Sequence, residues 1–196
     1  MLPKTLFVCN TTFLIDKRVK RYYYCNMVRR KLLLFVSNIL PINIAYAHCD
    51  IPCGIYDPHQ AQMAVHTVIR MTNLITDLKA SSSEPSFDER KKIISQISRY
   101  TRVKEEHAEL VKHEIRILWG DYFKEEHLKE YPDLNDLVFR TMKLASKARQ
   151  EVNIEAASEL LDTVQEISEI FFKTKGVKSV RVKSVYPTGL DIVAHK

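Results

Sequence analysis

From Pro58 onward, apolar side chains recur at steps of three and four residues. Ala61, Ala64, Val65, Val68, Thr72, Ile75 and Leu78 fall largely on one face and predict a helix over about 58–79. Pro58 suits its first turn, where a missing N–H leaves no hydrogen bond unmade. Ala80 to Pro85 reads as a loop by composition. Ser86 and Glu89 have the spacing of a capping box that opens a second helix. That helix places Ile93, Ile94, Ile97, Tyr100, Ala108, Val111, Ile115 and Leu118 inward and runs to about Phe123, with a break allowed near Thr101. A third begins at Pro132 and carries Leu134, Leu137, Val138, Thr141, Leu144 and Ala148. The fourth is capped by Asn153, follows Ala157, Leu160, Leu161, Val164, Ile167 and Phe171, and stops at Lys173 to Lys175 before Gly176. Four amphipathic helices with short connections predict an all-α fold, an antiparallel up-and-down four-helix bundle. Val177 to Tyr186 alternates in part and predicts a short strand or extended tail, followed by a turn at Pro187-Thr188-Gly189.

The first 47 residues obey a different pattern. They hold eight Lys and Arg side chains against one acid, Asp16, whereas residues 48–196 hold 22 basic and 23 acidic groups. The overall +6 therefore belongs to the beginning of the chain. A near-neutral body with no basic stripe offers little to a phosphate backbone, so no nucleic-acid partner is expected. Arg29-Arg30-Lys31, the apolar stretch Leu32 to Ile44 and Ala45-Tyr46-Ala47 have the three-part form of a cleavable leader. The stretch is too short, and too interrupted by Ser37, Asn38, Pro41 and Asn43, for a permanent membrane span. Cleavage after Ala47 makes His48 the new N-terminus. Met27 precedes the positive head by two residues, so residues 1–26 read as an upstream extension. The expected organisation is a leader over 1–47, a metal-binding hook over 48–57, a helical bundle over 58–176 and a tail over 177–196. The leader suggests export to a periplasm, lumen or extracellular space, although it can also serve maturation of a cytoplasmic protein.

Cys9 and Cys25 lie in the leader, Cys49 and Cys53 directly after it, and no cysteine follows. Disulfides cannot hold the body together, so it must fold on an apolar core. Once N-terminal, His48 offers an α-amine and an imidazole. Cys49 adds an amide nitrogen and a thiolate, and Cys53 a second thiolate. Amine, amide and thiolate form two fused chelate rings, which enforce planarity, and the Pro52 turn can bring Cys53 to the fourth corner. Planar nitrogen donors suit Cu(II) or Ni(II), and thiolates are soft ligands. A Cys49–Cys53 disulfide is the plainest rival. A structural zinc site is disfavoured, because it ordinarily draws on two ligand pairs.

The hook His48-Cys49-Asp50-x-Pro52-Cys53-Gly54-x-Tyr56-Asp57-Pro58 resembles that of the nickel-containing superoxide dismutases. The likeness continues through Lys104 to Leu110, Leu118 to Lys124 and Tyr131 to Leu134, spanning essentially residues 48–175. It implies nickel at His48, Cys49 and Cys53, a cis bond at Ile51-Pro52, and a right-handed four-helix bundle assembled as a homohexamer. It also implies superoxide as substrate and a processing protease as partner. An amide and two thiolates donate electrons strongly enough to bring a Ni(III)/Ni(II) couple into the range of superoxide, with the His48 imidazole adding axially to the oxidised ion. Tyr56 and Asp50 are the candidate catalytic residues, Tyr56 guarding the open face and ordering water or incoming superoxide. In better-known members a carboxylate on the first helix and an arginine on the second hold the axial imidazole. Ala64 and His107 stand at those positions here, so the His48 ring is oriented by His107 or a backbone carbonyl.

Other motifs carry less. No histidine follows a glutamate by three residues, so a di-iron bundle signature is missing, and His113-Glu114 lacks the second histidine of a metalloprotease helix. Trp119, Tyr122 and Phe123 read as core and subunit packing, and Glu105-Glu106 as a solvated face. The alternative to a dismutase is an exported helical protein that binds nickel or copper without turnover.

Overall fold

The computed structural model describes residues 54–196. The chain divides into two units, 1–47 and 48–196. The leader lies outside the described residues. In the second unit the helices are α1 (His59–Thr76), α2 (Phe87–Ile117), α3 (Glu125–Glu130), α4 (Leu134–Gln150) and α5 (Ile154–Thr174), and a π-helical turn at Leu118–Tyr122 follows α2. Helix α1 packs on α2, α2 on α4, α4 on α5 and α5 back on α1, which closes the four-helix ring. Ala61, Val65, Val68, Val111, Ile115, Leu134, Leu160, Val164 and Ile167 fill its centre. Each large aliphatic side chain buried there stabilises by roughly 1.5–3 kcal/mol.

Local chemistry sets most helix ends as expected. The Asn153 side chain accepts from the Ala156 amide at 2.8 Å. Ser86 accepts from the Glu89 amide, but the Glu89 carboxylate turns away to the amide and hydroxyl of Ser81, so the predicted capping box is only half formed. Helix α5 ends in a Schellman motif: the Gly176 amide donates to Lys173 and the Val177 amide to Phe172. Gly176 takes φ +70, which L side chains resist.

Two sequence expectations change, and the expected tail strand gains a partner. Helix α2 runs unbroken through Thr101, and its first half, before Lys104, holds no buried residue. Ile94 is 64% exposed, and Ile97 also reaches solvent, although period alone placed both inside. The helical run does not reach Phe123, because the π turn and the short α3 intervene. The tail is a hairpin in which β1 (Ser179–Lys183) pairs antiparallel with β2 (Asp191–His195), Arg181 opposite Val193. Pro187 to Gly189 lies in its connection.

The hairpin is held by side chains that imitate a further strand. Gln62 of α1, fully buried, donates its amide to the Val193 carbonyl and accepts from the Val193 N–H. His66 lies 2.7 Å from the Thr188 hydroxyl and 3.3 Å from the Asp191 carbonyl. A carbonyl only accepts, so Nε2 carries the proton of the neutral ring and Nδ1 accepts from Thr188. Burial holds the His66 imidazole below its ordinary pKa. The unfolded chain therefore takes up a proton first, so stability is full above about pH 6.5 and declines as pH falls from there through the lower folded value. In the metal-free chain the thermal midpoint is expected to drop between pH 7 and 5, and a His66→Gln variant to show a shallower drop. Equal slopes in the two chains would dissociate His66 from the effect.

Candidate metal centre

His48, Cys49, Asp50, Pro52 and Cys53, with the expected cis Ile51-Pro52 bond, lie outside the described residues. The structure takes up the chain at Gly54, whose φ of +74 explains why glycine follows the second cysteine. Tyr56 is half-buried against the core. The Asp57 carboxylate accepts from the His59 amide at 2.6 Å and so satisfies one of the open donors at the start of α1, while buried Pro58 accepts from Gln62. The exit of the hook is thereby fixed to the first turn of a packed helix.

Facing it is the π turn. The Phe123 amide reaches back five residues to the Leu118 carbonyl at 2.9 Å, and this wide turn brings Tyr122 to Tyr56 at 5.5 Å between ring centres. π turns recur at functional sites because one extra residue per turn re-aims the side chains beyond it. Tyr122 also packs on Phe171 at 4.7 Å and stacks on His127 at 5.7 Å. The Lys175 ammonium lies 4.8 Å from its ring centre. Gly54, Tyr56, Tyr122, Lys124, Thr174 and Lys175, together with Asp121 and His127, line a cleft of about 360 Å³. Two lysines against one aspartate leave this cleft cationic.

Tyr56 lines this cleft together with Gly54. Ala64 is buried in the core and supplies no polar partner. His107 is partly buried, and its Nδ1 donates to the Val103 carbonyl one turn back, at 2.8 Å. It does not line the Tyr56 cleft. Phe123 is core and Tyr122 packs against it, as expected, but Trp119 is exposed and Tyr122 also lines the cleft. The only sequence signal for that lies in the Leu118 to Lys124 motif, because the helical period makes no distinction between a packing tyrosine and one facing a cleft. Lys124, Thr174 and Lys175 carried no signal of their own, since they gather only when the ends of the π turn and α5 meet.

The donor set suits nickel. With His48 as first residue it would offer an amine, a deprotonatable amide, two thiolates and an imidazole within six residues. Among the described residues there is no group of three or more His, Cys, Asp or Glu side chains able to hold a metal ion. A larger concavity, about 660 Å³ between α4 and α5, lies elsewhere and is lined by mixed charges such as Asp136, Arg140, Glu166 and Lys173.

The family model for nickel-containing superoxide dismutase matches residues 43–175. A Superoxide dismutase [Ni] of Streptomyces coelicolor is 37% identical over 129 residues, covering 66% of this chain and 88% of the relative. The Streptomyces seoulensis protein of the same name is 36% identical over the same length. The structure of native nickel superoxide dismutase superposes with a TM-score of 0.55 at 35% identity, covering 65% of this chain and 99% of that one. Another, with nickel ligation corresponding to the oxidised state, gives 0.56 at 33% identity.

Proposed function

The chain belongs to the nickel-containing superoxide dismutase family, and on that premise we propose that it disproportionates superoxide to oxygen and hydrogen peroxide at a nickel ion held by His48, Cys49 and Cys53. The observation that carries this reading is the cationic cleft: Tyr56, two residues beyond Gly54, faces Tyr122 beside Lys124 and Lys175. Nickel supplies the one-electron oxidation and reduction when bound. The residues of the chain do the rest.

Lys124 and Lys175 draw a small anion toward the hook. The paired tyrosine rings narrow the approach, admitting a diatomic anion and ordering water around it. Two superoxide ions and two protons give one oxygen and one hydrogen peroxide, and a cleft open to water can supply both protons. Asp50, inside the hook, is proposed to help order its backbone and water. The His48 ring, lacking the carboxylate and arginine of better-known members, takes its orientation from His107 or a backbone carbonyl.

Residues 1–47 are proposed to be a leader removed by a processing protease, 48–57 the hook, 58–176 the bundle and 177–196 the segment that forms the hairpin. Assembly as a homohexamer is proposed too. Exposed Phe87, Ile94, Trp119 and Phe139 supply apolar surface that such an assembly would cover. Among the described residues no helix is long and apolar enough to cross a membrane.

A nickel-loaded chain beginning at His48 is expected to remove superoxide catalytically, with peroxide and oxygen formed in equal amounts. Stoichiometric nickel binding without turnover would favour a metal-binding protein instead.

A further inference from the structure

We infer that Thr174 is a positioning residue that holds the hydroxyl proton of Tyr122 in a hydrogen bond, so that Tyr122 meets an entering anion with lone pairs rather than with a donor. The inference rests on the proposed reading of this cleft as the approach to the hook.

Thr174 is the last residue of α5, and its Oγ1 makes two contacts of 2.7 Å, one to the Phe171 carbonyl and one to the Tyr122 hydroxyl. A threonine hydroxyl has one proton, and a carbonyl can only accept. Both contacts are hydrogen bonds only if Thr174 donates to Phe171 and accepts from Tyr122. The proton of Tyr122 is therefore committed. The Schellman motif through Gly176 fixes the end of α5, and hence the Phe171 carbonyl and Thr174, in place. Lys175, next in the chain, lies over the Tyr122 ring and restrains it from one side.

The consequence is selectivity by weak retention. Lysine charge attracts every small anion, inhibitors and product included. A phenol free to donate would add a charge-assisted hydrogen bond and hold those anions. With its proton held by Thr174, Tyr122 narrows the passage without gripping what passes.

Azide is the probe, used on the nickel-loaded mature chain and on the metal-free chain labelled with ¹³C at tyrosine Cζ. Thr174→Val is expected to sensitise superoxide removal to azide by roughly tenfold, about the worth of one hydrogen bond to a charged group. Thr174→Ser, which keeps the hydroxyl, should match wild type. Thr174→Val combined with Tyr122→Phe should match Tyr122→Phe alone, because the effect runs through one hydroxyl. In the metal-free chain, azide should shift the Tyr122 resonance further in Thr174→Val than in wild type. Unchanged azide sensitivity in Thr174→Val, or an equal gain in the Tyr122→Phe background, overturns the inference. If azide shifts Tyr122 equally in wild type and Thr174→Val, the cleft remains an anion route and only the role of Thr174 falls. If azide inhibits but leaves Tyr122 unmoved in every chain, the cleft reading itself fails.

Discussion

Cys53→Ser is expected to leave the mature chain folded but without bound nickel, and to lower superoxide removal by roughly 10³-fold or more, a modest part of the acceleration enzymes commonly provide. Serine keeps the shape of the side chain and loses its chemistry. Its hydroxyl stays protonated at neutral pH and is a hard donor, whereas the oxidised ion needs soft, electron-rich sulfur. The bundle should not notice the change, because no cysteine follows residue 53 and none is part of the buried core of the described residues. Elemental analysis, a superoxide assay and far-UV circular dichroism together check it. Retained nickel with retained turnover would mean that the second thiolate is not a ligand.

Lys104→Met is expected to cost about 3–4 kcal/mol of stability, the worth of a buried, fully hydrogen-bonded charge removed from its partners. Lys104 is 1% exposed, and its ammonium donates to the carbonyls of Ala148, Arg149 and Glu151 at 2.6, 2.8 and 2.7 Å. Three protons meet three acceptors at the end of α4, where carbonyls lack partners within the helix and the helix dipole favours a cation. Methionine fills the volume and leaves those carbonyls buried and unpaired. For a chain of this size the thermal midpoint should fall by about 10 °C, at 2–4 °C per kcal/mol. A drop under about 2 °C would show that water replaces the ammonium without cost.

Much of the architecture was legible because helices announce themselves through period and caps. Asn153, Gly176 and the inward positions of α1, α4 and α5 behave as their spacing and chemistry require. Period failed for Ile94 and Ile97, since it reports which residues share a face but not whether another helix is long enough to cover it. The π turn was hidden, because no residue type in Leu118 to Tyr122 marks a bond five residues back. The second strand was missed because, besides its pairing with β1, it is anchored by Gln62 and His66, more than a hundred residues earlier in the chain. The metal donors were legible for the opposite reason: five of them sit within six consecutive residues, so no folding is needed to bring them together. Tyr122, Lys124, Thr174 and Lys175 meet only through the fold, and sequence spacing is silent on that. Lys104 shows the same limit, for the sequence presents it as one more charge on a helix, and only α4 explains its burial.

Intact mass and nickel content of the catalytically active protein, measured on one preparation, test the central claim most directly. The account predicts a chain whose first residue is His48, carrying one nickel ion per chain. An active, nickel-loaded chain that still bears Ala47 would contradict it, because the amine on which the coordination depends would then be locked in a peptide bond.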